Sequence, residues 1–253
     1  MKTKRDRLKV LVIGAGRLGT YVIEKLLSDS DYYVIVHDPY LKDDLKNHLS
    51  IHVLDESTSH VDCLIACLKP KDIDALSSLK VTADVCISFL AGTSQDKLQS
   101  VYPKLWVLAM PNICLSPIIY VKTTINHPTL YKIQKTLGPA YFVDSEKDMS
   151  VITPLSGSGP AILWTFFKGF YEWGVQKGMN PDTCFSMLLD LLQGCHHLLK
   201  NSNIPINELI QQVASPGGVS EKILSHLSSK HFETILHEAL QIGFDQCESI
   251  GRH

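Results

Sequence analysis

An excess of charge of either sign is missing from this chain. Its 24 Lys and Arg against 26 Asp and Glu leave a formal net charge of -2 and a pI near 6.6. That excludes the basic field needed to hold nucleic acid or an anionic membrane. Long apolar runs are also absent where a leader would need one. Behind the charged residues 1–9, the run 10–13 is far too short for a signal-peptide core or a membrane span, so the cytoplasm is the expected compartment. The seven cysteines are odd in number and irregularly spaced, which argues for buried thiols in a reducing compartment rather than a disulfide framework. Cys63 and Cys67 stand four apart in a strand-like run with no second ligand pair, so no metal site is expected. Apolar residues, by contrast, make up 45% of 253 residues, enough core for one large domain or two ordinary ones.

The first half reads as strand alternating with helix. A β-rich run at 9–13 ends in Gly14-Ala15-Gly16-Arg17-Leu18-Gly19, a helical pattern follows through Tyr21, Val22, Ile23, Leu26 and Leu27, and a second strand fits 32–36. In that spacing Gly14 permits the tight turn, Gly16 lets backbone touch a pyrophosphate, and Gly19 lets helix pack on strand. The amides of the helix start then face the anion. Asp38, after the second strand, stands where an acidic residue meets the adenosine ribose 2′-hydroxyl, or it starts a turn with Pro39. The first role tips the balance slightly to NAD over NADP, while Arg17 and Lys42 could instead serve a 2′-phosphate. Further buried strands fit 63–68, 85–89 and 106–108, with helical segments at 72–79 and 94–101, which implies a parallel doubly wound sheet. Ligands meet the carboxyl ends of such strands, here carrying Lys69-Pro70, Ala91-Gly92-Thr93 and Met110-Pro111-Asn112. Lys69 could reach cofactor or stay in solvent; Asn112 could orient a nicotinamide ring or close a turn.

The stretch 155–161, Leu-Ser-Gly-Ser-Gly-Pro-Ala, separates two textures and predicts a helix entrance, with Ser158 as a cap and Pro160 in the first turn. Beyond it the pattern is all helix. Apolar and aromatic residues cover most of 162–175, leaving Thr165, Lys168, Glu172 and Gln176 as a polar stripe, so that helix is expected to be largely buried in a core or a dimer seam. Gly178 ends it, Asn180-Pro181-Asp182 starts the next, which runs to about Lys200, and further helices fit 206–213 and 232–250. So much apolar surface on a small helical domain suggests a homodimer. Between the last helices, Ala214-Ser215-Pro216-Gly217-Gly218-Val219-Ser220-Glu221 either presents bare amides and the Ser220 hydroxyl to a small carboxylate or is a turn capped by Ser220.

With these blocks in order, the sequence resembles the pyrroline-5-carboxylate reductase family over essentially its full length. The resemblance is carried by Gly14-Ala15-Gly16, Leu68-Lys69-Pro70, Ala91-Gly92, Met110-Pro111-Asn112, residues 155–161 and Ser215-Pro216-Gly217-Gly218. It implies an N-terminal Rossmann domain, residues 1–150, followed by an all-helical dimerisation and substrate domain, residues 151–253. It also implies reduction of a cyclic imine to proline by NAD(P)H, in a homodimer or a larger assembly of dimers with the active site completed across the dimer. The family's substrate carboxylate sits on the amides after Pro-Gly-Gly, which places Ser215, Gly217, Gly218, Val219 and Ser220 at the substrate. A hydroxyl near the imine nitrogen falls on Ser220, where threonine is usual. Leu108 stands where the family usually has arginine, Cys114 where it has proline, and Ala214 where it has a hydroxyl residue. These departures leave open a related reductase acting on another imine or a keto acid, or a nicotinamide-binding regulator.

Overall fold

Residues Val10, Leu11, Val12 and Ile13 are almost wholly inaccessible, as expected of a strand buried on both faces. A computed structural model describes residues 7–41, 43, 47 and 51–251, so Lys42 lies outside the described residues. The buried run is strand β1 (Leu8–Ile13), followed by helix α1 (Arg17–Leu27), β2 (Tyr32–His37), β3 (Ile51–Val53), β4 (His60–Ala66), β5 (Thr82–Ser88), helix α2 (Gln95–Val101) and β6 (Trp106–Met110). The sheet order is β3-β2-β1-β4-β5-β6-β7-β8, where β7 (Ile118–Val121) is antiparallel to β6 and parallel to β8 (Ala140–Val143). The chain therefore reverses direction across the sheet between β1 and β4, the place where an open α/β sheet leaves a crevice. Ile13 is level with both His37 and Ala66 in register. Consequently Gly14, Asp38 and Cys67, the next residue of each strand, meet at one carboxyl edge.

Two helical expectations change form. Residues 70–78 make a 3₁₀ helix, in which Ile73 and Leu76, three apart, are buried; a repeat of three stacks such residues on one side. Residues 155–161 are not a fresh helix entrance. Helix α4 (Asp148–Ile152) runs into a π-helical turn, Thr153–Gly157, closed by the Ser158 N–H on the Thr153 carbonyl at 3.0 Å, and directly into α5 (Gly159–Gln176). Ser158, at φ -91° and ψ -13°, is itself helical where an N-cap would be extended. The turn is set by close packing: a Cβ on Gly157 would lie 3.1 Å from Met110 Sδ, and one on Gly243 3.0 Å from Pro154 Cβ. Strands β7 and β8 extend the sheet beyond the sequence reading, and helix α3 (Pro128–Leu137) lies between them in the chain.

The chain divides into two compact units, the described residues of Met1–Pro160 with Ile242–His253, and Ala161–Gln241. The second unit holds α5, α6 (Pro181–Asn201), α7 (Ile206–Val213), α8 (Val219–Ser229) and the first part of α9 (Phe232–Gly251). Asn180 caps α6 by accepting from the Thr183 N–H at 3.0 Å, with Pro181 at its first position. Edge-to-face pairs of Phe166 with Phe232 and Phe167 with Phe185 tie three of these helices. The expected burial of α5 does not hold in the single chain: Leu163 and Phe170 are each 64% exposed and Trp173 63%. An aromatic helix that is apolar on most of its circumference cannot bury all of it against the few neighbours it has in one chain. Among the described residues no helix is long and apolar enough to cross a membrane.

Candidate active site

The glycine loop is shaped by contacts that leave room for little else. Gly14 has φ +91°, and a Cβ there would lie 3.0 Å from the Cys67 carbonyl oxygen. On Gly19 it would lie 1.9 Å from the Gly14 carbonyl oxygen, so α1 comes this close to the end of β1 only because Gly19 lacks a side chain. Gly16 differs: a Cβ would meet nothing within 4 Å, and as N-cap of α1 it has no side-chain hydrogen bond over the helix start. The amides that follow, beginning with those of Arg17 and Leu18, belong to the first turn, where no intrahelical acceptor exists. Arg17 is exposed, Leu18 half-buried and Ala15 buried.

Asp38 is drawn into this loop. Its Oδ2 accepts from the Ala15 N–H at 2.6 Å and its Oδ1 from the Tyr40 N–H at 2.7 Å. Asp38 thus starts its own turn, as one sequence reading has it, and also grips the glycine loop, a contact that neither reading names. Each oxygen keeps a second lone pair for an incoming hydroxyl. Cys67, beneath Gly14 and Gly19, has its thiol pushed well up by burial and is no nucleophile.

Along the same carboxyl edge, Lys69 is exposed and Ala91 half-buried. A cavity of about 830 Å³ is lined by Lys69, Pro70, Gly92, Thr93, Lys97 and Ile250 among others. Ile250 and Cys247 come from the end of α9 and press on Gly92, whose φ is +64°; a Cβ there would lie 3.0 Å from Ile250 Cγ2. No local sequence signal marks that contact. A neighbouring cavity of about 460 Å³ is lined by Ser88, Leu108, Met110, Glu146, Cys247 and Glu248 among others. Burial pushes Glu146 up from the ordinary carboxylate range and nearby Asp96 adds to the rise, while the Gln95 N–H, donating at 3.2 Å, opposes it. Asn112 is buried, and both ends of its amide are engaged: Nδ2 donates to the Ser116 carbonyl at 3.1 Å, and Oδ1 accepts from the Cys114 N–H at 2.9 Å. Of its two possible roles, these bonds fill the turn.

The second predicted cluster lies wholly in the helical unit. Gly217 has φ +73°, and helix α8 begins at Val219, with Gly218 extended as its N-cap. Ser220 is therefore inside the first turn rather than the cap, because the Gly218 carbonyl already accepts the first helical bond, from the Lys222 N–H at 3.3 Å. The Gly218 N–H donates to the Ser215 carbonyl at 3.0 Å, and the Gly217 N–H to Glu221 Oε2 at 2.6 Å. That removes Gly218 from the predicted donors and leaves the amides of Val219 and Ser220, at the first two helical positions, without intrahelical acceptors. Glu221 was not among the expected site residues. Its signal is the capping-box spacing, a glutamate three residues after the N-cap that reaches back to a preceding amide.

Residues 146–250 match the family model for pyrroline-5-carboxylate reductase dimerisation. Over 190 residues the chain is 29% identical to the pyrroline-5-carboxylate reductase of Aquifex aeolicus, covering 71% of each chain. It is 24% identical to that of Synechocystis sp. over 95% of this chain and 97% of the relative. Its fold matches the crystal structure of Plasmodium falciparum pyrroline carboxylate reductase with NADP bound, at a TM-score of 0.85 and 20% identity over 97% and 99% of the two chains. The Streptococcus pyogenes 1-pyrroline-5-carboxylate reductase gives a TM-score of 0.84 at 21% identity over 96% and 99%. The domain match over residues 146–250 and these relatives together make the chain similar to pyrroline-5-carboxylate reductases over nearly its whole length.

Proposed function

We propose that this protein reduces 1-pyrroline-5-carboxylate to proline with a nicotinamide cofactor. The observation that carries the reading is the open ground over Gly16, where a Cβ would touch nothing within 4 Å, at the bare start of α1 and beside the Asp38 carboxylate. That is a cradle for a diphosphate and a ribose. The cofactor, when bound, supplies the hydride. Gly16 with the amides of Arg17 and Leu18 would hold its diphosphate, with Gly14 and Gly19 shaping the loop by close packing and Lys69 and Ala91 bordering the strand ends. Asp38 accepts from the adenosine ribose and repels a 2′-phosphate, which favours NADH over NADPH despite the exposed Arg17.

A carbon–nitrogen double bond takes hydride most readily when its nitrogen is protonated, and a cyclic imine arrives partly protonated. No strong acid is then required of the protein. Val219 and Ser220 amides hold the substrate carboxylate, with Ser215 and Gly217 shaping the loop, and Ser220 Oγ hydrogen-bonds the ring nitrogen. Holding two reactants in a productive arrangement is worth up to about 7–11 kcal/mol of barrier. The exposed aromatic face of α5 and the dimerisation-domain match support a homodimer, with larger assemblies built from dimers; a monomeric mass in light scattering at micromolar concentration would remove it. The reaction is tested by supplying cofactor deuterated at nicotinamide C4. Proline carrying the label at C5 is expected; cofactor oxidation with a keto acid but not with the imine would favour the alternative substrate, and no oxidation a regulator.

A further inference from the structure

We propose that Glu221 is a specificity-determining residue, an internal carboxylate that competes with the substrate's own for the head of helix α8. The inference rests on the reading that this loop receives the substrate acid. Three observations in one short segment carry it. Glu221 Oε2 already sits 2.6 Å from the Gly217 nitrogen, the first amide after Pro216. The Gly218 N–H is turned back on the Ser215 carbonyl at 3.0 Å, so it does not face outward to receive a carboxylate. The amides left over are those of Val219 and Ser220, the immediate neighbours of a residue that carries a full negative charge. A helix N-terminus favours one anion, and a second of like charge beside it is disfavoured through solvent as well as through contact.

A carboxylated imine must therefore displace Glu221 or bind against its field; an imine without a carboxylate does neither. Glu221 thus sets how strongly the site prefers the acid over the uncharged ring, and it does so without touching the reacting carbon or nitrogen. Salt lowers the penalty, because Glu221 is exposed and its field is screened over roughly 8–10 Å at moderate ionic strength.

The test compares wild type with Glu221→Gln, which keeps an oxygen to accept from Gly217 and removes the charge, on 1-pyrroline-5-carboxylate and on 1-pyrroline. The ratio of the two kcat/KM values is expected to rise about tenfold in favour of the acid, through KM, and the gain to shrink at high salt. If Glu221 only caps the helix, both substrates change together and the ratio stays fixed, which overturns the proposal. Calorimetric binding of L-proline gives a readout that does not need turnover. Tighter binding by Glu221→Gln supports the competitor role even if wild type reduces no imine, in which case the enzymatic reading falls separately; equal affinity, or binding by neither, overturns it.

Discussion

Asp38 and Ala15 are 23 residues apart in sequence and joined by a 2.6 Å hydrogen bond, carboxylate to amide, across the carboxyl edge of the sheet. The bond ties the residue that would read the cofactor's ribose to the loop that would hold its diphosphate. A hydrogen bond to a charged group is worth about 1.5–3 kcal/mol. Asp38→Ala is therefore expected to lower kcat/KM with NADH by roughly ten- to a hundredfold and to lower that with NADPH less, because the repulsion of a 2′-phosphate goes at the same time. Equal losses with both cofactors would show that Asp38 serves only the loop and its own turn at Tyr40.

The glycines of the loop divide into one that packs and one that binds. Gly19→Ala forces a Cβ into the Gly14 carbonyl and is expected to destabilise the fold by about 1–3 kcal/mol, the usual cost of overpacking. Gly16→Ala meets open space and should leave the thermal midpoint unchanged while weakening NADH binding at least tenfold. A melting curve and a fluorescence titration on the same two variants separate the roles. Retained NADH affinity in Gly16→Ala would remove it from the diphosphate site.

Tyr120 is fully buried, and its hydroxyl has no partner among the described residues. An unsatisfied buried polar group costs about 1–3 kcal/mol. Tyr120→Phe keeps the ring against Phe142 and is expected to raise stability by about 1 kcal/mol, read as a higher urea midpoint at unchanged slope. A lower midpoint would mean that the hydroxyl contributes to the core.

Glu146 gives the pH dependence of the first unit. Its folded pKa is raised, chiefly by burial, so the folded state binds the proton more tightly than the unfolded chain. By linkage, stability falls as pH rises from the ordinary carboxylate range of about 4.3 through the raised folded value, and the loss is complete above it. Glu146→Gln, which can still accept from the Gln95 N–H, should flatten that segment of a stability-against-pH curve. An unchanged slope would assign the dependence to another group.

Much of this was legible because the features are local. The run around Val10–Ile13, three spaced glycines and an acid after the next strand specify the crevice between β1 and β4, and Asn180-Pro181 announces its helix. What escaped depends on partners far along the chain. Nothing near Ser158 shows that the helix is already running, since the π-helical turn is fitted to Met110 and Gly243. The aromatic surface of α5 reads as core or dimer seam by composition, and composition does not distinguish the two; in the single chain much of it is exposed. Ser220 and Glu221 look alike as helix-start residues; the hydrogen bonds distinguish them, placing the glutamate on the Gly217 amide and the serine within the first turn.

If the Ser220 hydroxyl in the first turn of α8 assists hydride transfer to a ring carbon–nitrogen double bond, its removal slows turnover of the imine. The most direct measurement is kcat/KM for 1-pyrroline-5-carboxylate with NADH in wild type and Ser220→Ala. Turnover by the wild type and a fall of about a hundredfold in the variant, the scale of one lost polar catalytic contact, is the result expected. Equal values for the two proteins, or no turnover by the wild type with either cofactor, would contradict it.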